Sequence, residues 1–524
     1  MKKIFYILTA AMLSFTLTSC ENEFLEKQPN EELSPEQVAA AAAKDPSLLM
    51  GSIAGLYATM YDTGTGGISD DNLDHDDFGQ KGYDIYSDML ASDVAVAGLN
   101  YGWYETLVRH QSTKDFTRID AYKPWRYYYR LILGANTVID ALGGTDAKQI
   151  EPINRLIMGQ AKAVRAYAYF YLAQFYATGY GTGSEKILPI YTSTKVPNQP
   201  KSTSAEVYNL IISDLDDALV NLQGFKRKSK DQIDQSVVKG LLAYALAARG
   251  ATPDLNRVVT LTDEVIATGG YRLMTSTELV ANVDPETGTV TNSQAGFNNV
   301  ANPSWMWGVD LTIANELDIV SWWGQMDIFT YSYTWAGDPK VIDKSLYDAI
   351  RTDDIRKRQF DPIGGGIEKF YKGDGYTEGS FDLMPVNKFF DPSRIPGGQR
   401  TVITDYVYMR IEEMYLLNAE AKAKLGQDGP ARDRLKEVLA SRIPNLSYLD
   451  ALSGKALQDE IYLQTRIELW GEGKAYLAMK RNKATVTRGE NHLFEAGKSF
   501  AWDSDELTFP IPQAEILNNP VLNN

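Results

Sequence analysis

Tyr101, Trp103 and Tyr104 stand in the stretch AGLNYGWYETLVRHQ, where Gly98, Asn100 and Gly102 break any helical face that could bury large rings. Loops carried on a rigid frame are where binding groups are displayed, so these rings form a candidate wall for a ligand. A second aromatic concentration lies between about residues 271 and 404, in sequence dense in Gly, Pro, Asn, Asp and Trp. It contains Trp305, Trp307, Trp322, Trp323 and Trp335, five of the nine tryptophans. Tyr331-Ser332-Tyr333-Thr334-Trp335 alternates rings with hydroxyls, which in an extended segment puts three rings on one side. Most large aromatics are buried filler, so only about a quarter of these rings is expected to face a ligand. The chemistry on offer is noncovalent capture.

Groups for covalent or metal chemistry are sparse. His75, His110 and His492 lie far apart and lack HExxH-type spacing, so no zinc site is expected. The loop TGTGGISDDNLDHDDFGQKG carries Asp70, Asp71, Asn72, Asp74, Asp76 and Asp77, oxygen donors of the kind calcium takes. It lacks the Gly at position six and the Glu at position twelve of an EF-hand, which favours a solvated acidic turn over a calcium site. No cofactor is expected. Cys20 is the only cysteine, so no disulfide can form within one chain.

The elements that must hold the aromatic segments are helices. Ile157–Tyr176 places Ile157, Ala161, Val164, Ala168, Tyr171 and Phe175 on one helical face. Ala163, Ala166, Tyr167, Phe170 and Ala173 fill the opposite face, and a helix apolar nearly all round must be covered on both sides. Asp45-Pro46 starts a helix over 48–61, and further helices are predicted over 83–96 and 122–142, the last closed by Gly143-Gly144. Thr203-Ser204-Ala205-Glu206 is a capping box that opens another helix, followed by a pair over 236–249 and 253–268 ended by Gly269-Gly270. Residues 408–425, a turn at 426–429 and residues 430–441 repeat helix, turn, helix with roughly the 34-residue period of a tetratricopeptide unit. The reading is a mainly α, tetratricopeptide-like helical-pair solenoid with a large irregular insertion containing short strands.

The N-terminus carries an address. Lys2 and Lys3 precede the apolar run Ile4–Leu13, too short to span a bilayer as mature protein, and Leu17-Thr18-Ser19-Cys20 resembles a bacterial lipobox. Residues 1–19 therefore read as a lipoprotein signal, with Cys20 the lipidated first mature residue, and 20–44 as a tether. The scaffold follows over 45–270, the insertion over 271–404, and a C-terminal helical pair, helix and closing tail over 405–524. A net charge of −16 and a pI near 4.9 argue against nucleic-acid or anionic-lipid surfaces.

Several motifs together resemble the SusD/RagB family of outer-membrane nutrient-uptake lipoproteins. They are the lipobox at Cys20; GQAKAVRAYAYFYLAQFYA with Arg165, Ala166 and Tyr167; VYNLIISDLDDAL at 207–219; and YMRIEEMYLLNAEAKAKLG with Arg410, Glu413, Leu416, Ala419, Glu420 and Ala421. RIELWGEGKAYLAMKR at 466–481 and FPIPQAEILNNP at 509–520 complete the set. One departure is Lys474 and Leu477-Ala478-Met479, where the family has His, Arg and Asp-Leu, which is expected to alter a local surface.

The resemblance implies a non-enzymatic glycan-binding lid on a SusC-like TonB-dependent outer-membrane transporter. It implies a ligand of oligosaccharide or polysaccharide between Tyr101, Trp103 and Tyr104 on one side and Trp322, Trp323, Tyr331 and Tyr333 on the other. Asn100, Gln325 and Asp327 are the candidate polar partners. Flat rings stack on the C–H face of a sugar while amides and carboxylates bind its hydroxyl rim. The alternatives are peptide uptake and a surface glycoside hydrolase, the latter needing paired carboxylates about 5 to 9 Å apart. On this reading Trp103→Ala and Trp322→Ala both weaken binding with little loss of folding.

Overall fold

The computed structural model describes residues 35–67, 74–284, 286–364 and 379–523. The signal segment and Cys20 lie outside the described residues, as do Asp70, Asp71 and Asn72. Helices of eight or more residues form an N-terminal group: α1 (Pro35–Ala42), α2 (Leu49–Thr59), α3 (Gln80–Leu90), α4 (Ile119–Ala141), α5 (Pro152–Tyr176), α6 (Ser204–Asn221), α7 (Gln235–Arg249) and α8 (Thr252–Thr268). A C-terminal group comprises α9 (Ile411–Lys424), α10 (Asp428–Leu439), α11 (Gly454–Glu468) and α12 (Ala475–Asn482).

Every residue from Ile157 to Tyr176 is buried, as a helix apolar on all faces requires. Helix α5 is sheathed by α4 and α6. Arg165 fixes all three together: its guanidinium donates to both Asp214 oxygens on α6 at 2.7 Å and to Asn136 Oδ1 on α4 at 2.8 Å. A fully buried cation is tolerated because a bidentate carboxylate faces it. The capping box forms at Thr203 and Glu206, and Asp45 caps its turn by accepting from Ser47 N at 2.9 Å. Helix α9 packs directly on α8, so the helical stack continues across the interruption. The architecture is mainly α and tetratricopeptide-like.

Two helices differ from expectation because strand pairing outcompetes local propensity. The segment predicted as helix over 83–96 ends at Leu90, and Val94–Val96 becomes strand β1. Residues 408–410 belong to Tyr406–Arg410, which pairs antiparallel with Trp305–Val309, Trp305 opposite Arg410 and Val309 opposite Tyr406. The irregular excursion thus leaves the stack and returns to it on one ladder. Residues 331–335 are turn, not extended chain.

Where these segments meet lies a buried ionic cluster. Arg410 donates to Glu472 at 2.7 Å and Glu468 at 2.9 Å; Arg442 and Arg356 reach Glu468 at 2.8 and 3.0 Å; Lys388 reaches Glu472 at 3.0 Å. Asp354 and Glu412 complete a balance of four cations and four carboxylates, all buried. Lys474 adjoins it, donating to Tyr408 O at 2.9 Å. Together with buried Leu477, Ala478 and Met479 it lies in the interior, so the expected change of surface at this departure is a change of core.

Candidate ligand platform

Strand β1 pairs antiparallel with β2 (Lys340–Ile342), Val94 opposite Ile342 and Val96 opposite Lys340. The chain leaving β1 therefore runs beside the chain entering β2, bringing residues 98–104 against 331–339. A Cβ at Gly98 would lie 2.8 Å from Gly337 O and Pro339 Cδ, so this approach requires glycine. The carboxylate of Asp338 accepts from Asn100 N and, at 3.0 Å, from Tyr101 N, while Asn100 Nδ2 donates to Ala336 O at 3.0 Å. Gly102 and Tyr104 have φ of 89° and 69°, left-handed values that send neighbouring rings in different directions.

Four rings gather there. His75 lies parallel to Trp103 with centroids 5.2 Å apart. Tyr333 stands edge-on to Tyr101, Trp103 and His75 at 5.3, 5.8 and 5.7 Å, and its hydroxyl bonds His75 Nδ1 at 2.5 Å. Tyr101 is 59% exposed and Trp103 half-buried, while Tyr333 is the base of the group. Beside it Tyr331 packs on Trp335 at 5.4 Å and lies under the exposed Arg400 guanidinium at 3.8 Å. The sequence weighs His75 only as a zinc ligand and does not mark Arg400, because neither has a local pattern that singles it out. Trp335 was visible only as one ring of the alternating run.

The remaining candidates lie beneath the surface. Trp322 and Trp323 are 2% and 1% exposed, perpendicular to each other at 5.0 Å, and Trp322 packs on Phe389 at 4.7 Å. Tyr104 is buried edge-on to Tyr86 at 5.7 Å. These three form core and not wall, because indole and phenol rings bury more apolar area inside than at a rim. Gln325 is also buried: its Nε2 donates to His75 O at 2.7 Å and its Oε1 accepts from Lys340 Nζ at 2.9 Å. Asp327 accepts from Phe329 N, Thr330 Oγ1 and Asp391 N at 3.1, 2.9 and 3.0 Å, and burial pushes its carboxyl up to about 7. Both position the platform from below and neither can meet a ligand.

In the described part of the acidic loop Asp76 and Asp77 are buried, not solvated, and their carboxylates serve groups of the protein itself. Asp76 holds Lys123 Nζ at 2.6 Å, with Asp120 and Asp74 at 3.0 and 3.4 Å from the same atom, and Asp77 accepts from Gly66 N at 3.0 Å. Burial pushes Asp77 up to about 6. Among the described residues no group of His, Cys, Asp and Glu gathers with metal-binding geometry, and no helix is long and apolar enough to cross a membrane.

Known proteins resemble the chain in two blocks. Residues 78–249 match a family profile described as SusD-like, starch-binding associating with outer membrane, and residues 327–524 match the profile of the SusD family. SusD-like protein P25 of Formosa agariphila is 26% identical over 228 residues, 42% of this chain and 38% of that relative, so the match spans well under half of P25. SusD-like protein P38 of the same organism is 22% identical over 440 residues, covering 76% of this chain and 78% of its own. The crystal structure of a SusD-like carbohydrate binding protein from Bacteroides vulgatus superposes with a TM-score of 0.70 at 24% identity, over 90% of this chain and 96% of that one. Those matches, with the helical stack that carries them, place the chain in the SusD/RagB family.

Proposed function

We propose that this protein captures oligosaccharide or polysaccharide on the platform of Tyr101, Trp103, His75 and Tyr333 and delivers it, uncut, to a SusC-like TonB-dependent transporter. The observation that carries the reading is the half-buried stack of Trp103 on His75 beside Tyr101, the most exposed aromatic ring among the described residues. A flat ring offers apolar area to the C–H face of a sugar, and a polymer engages several such rings at once. The relative from Bacteroides vulgatus is titled carbohydrate binding, and the N-terminal profile is described as starch-binding and associated with the outer membrane, which supports the same ligand class and location. Lipidation at Cys20 is the anchor that reading requires. Hydrolysis is not favoured, since Asp338, the carboxylate under the platform, is committed to backbone N–H groups of Asn100 and Tyr101.

Calorimetric titration of the soluble chain with a panel of polysaccharides and peptides tests the reading. Saturable binding of at least one glycan without release of reducing ends is the expected result. Binding confined to peptides would replace the ligand class, and new reducing ends would replace capture with hydrolysis.

A further inference from the structure

On another part of the helical stack, a cavity of about 210 Å3 opens between the ends of α5, α7, α9 and α12. Exposed Gly181, Gly250 and Lys483 are at its rim. Its lining includes Arg249, Lys424, Lys480, Arg481 and Lys483, a concentration of cations in a chain whose net charge is −16. Two carboxylates touch them. Asp254 takes Arg249 at 2.7 Å, and Glu420 takes Lys424 at 2.8 Å and Arg481 Nε at 3.0 Å. Helix ends account for part of the remainder, because terminal carbonyls attract cations. Lys480 Nζ donates to Gln174 O and Ala177 O, and Lys424 Nζ to Arg481 O at 3.0 Å.

Two donors remain. Arg481 has a side chain only 3% exposed, yet its Nη1 has no hydrogen-bond partner, an arrangement that costs free energy unless something else binds it. Lys483 lies over the ring of Trp502 at 5.6 Å and ends in solvent. Trp502 closes one wall, and its seat is shaped by glycine: a Cβ at Gly179 would come within 2.8 Å of Trp502 Cζ3. Tyr180 stands perpendicular to Tyr208 at 5.3 Å in the same lining. The cavity therefore combines aromatic walls with uncommitted cationic donors. Its volume is below the roughly 300–1,000 Å3 of a drug-sized site, which suits one sugar ring and not an extended chain.

We infer that this cavity is a second binding site, for a single carboxylated sugar of the hexuronate class, the ring against Trp502 and Tyr180 and the carboxylate on Arg481 Nη1 and Lys483 Nζ. A charge-assisted pair of this kind distinguishes the acid from the neutral sugar, and a ring face distinguishes it from a bare carboxylate.

The test uses the full chain carrying Trp103→Ala, which weakens the platform, titrated by calorimetry with glucuronate, glucose and acetate. Glucuronate is expected to bind, with glucose and acetate at least about tenfold weaker. Lys483→Glu, at an exposed position, is expected to weaken glucuronate at least about tenfold with an unchanged melting temperature, and Arg481→Gln to weaken it as much with a lowered melting temperature, because buried Glu420 loses a partner. If Arg481→Gln fails to fold because Glu420 loses its partner, Lys483→Glu and Trp502→Ala still decide the matter. Absence of glucuronate binding, equal binding of glucose, or full affinity in both Lys483→Glu and Trp502→Ala overturns the site without touching the platform. Methyl glucuronoside, run beside the free acid, separates two sources of the group. Equal binding assigns the end of an acidic glycan, loss assigns the free sugar acid, and each supports the site.

Discussion

Two tryptophans that look alike in sequence have opposite roles. Trp103 sits half-buried on His75, whereas Trp322 is enclosed by Trp323, Phe389 and the ammonium of Lys81. Trp103→Ala is expected to weaken glycan binding roughly tenfold, as truncation of an aromatic anchor does, while the melting temperature holds. Trp322→Ala is expected to cost about 3–5 kcal/mol of stability, because it empties a packed site the size of an indole. Parallel melting and titration of the two variants checks both statements. A Trp322→Ala protein that melts normally and binds weakly would restore that residue to the ligand wall. His75 belongs at this scale too: His75→Ala removes the ring behind Trp103 and is expected to lower glycan affinity severalfold, which the same titration reads.

At the scale of elements, the platform exists because β1 and β2 pair and because Asp338 ties the loop that follows the first to the turn that precedes the second. Asp338→Ala leaves every platform ring in the sequence but releases Asn100 N and Tyr101 N. Glycan affinity is expected to fall about five- to tenfold, since a loop that must be ordered on binding pays conformational entropy at that moment. Affinity equal to the parent would mean that packing of the rings alone sets the loop. The capping box at Thr203 and the sheathed helix α5 were legible because their causes are local, in spacing and cap chemistry. Strand pairing was not legible. Val94–Val96 and Tyr406–Arg410 are short, and what fixes them is a partner more than ninety residues away.

For the whole molecule, the insertion and the C-terminal helices are joined by the buried ionic cluster, whose members depend on one another for neutralisation. Arg410→Met leaves buried Glu468 and Glu472 short of a cation and is expected to cost about 3–5 kcal/mol, measured by chemical denaturation. The same cluster predicts an acid limb. Arg442, Arg410 and Arg356 outweigh burial and hold the Glu468 carboxyl well below its usual range, and Arg481 and Lys424 likewise hold buried Glu420 at about 2. Both folded values lie under the unfolded value of about 4.3, so their stabilisation is complete above that pH and is lost as pH falls toward 2. Melting temperature should therefore decline from about pH 4.5 downward. A flat profile to pH 3 would contradict the assignment of Glu468, in the cluster, and Glu420, on Arg481 and Lys424, as ionised partners of buried cations.

The sequence by itself determined the helical stack, its caps, the family resemblance and the two stretches that could carry a ligand, because helical periodicity, capping and motif spacing are properties of neighbouring residues. It also located Tyr101 and Trp103 in a loop where glycine forbids a buried helical face. Only the tertiary structure decided which rings are wall and which are filler. Tyr104 turns inward through a left-handed φ, Trp322 and Trp323 pass under Phe389, and His75 arrives from a segment with no aromatic pattern at all. Burial is set by what a distant part of the chain lays over a side chain, and no local pattern carries that information.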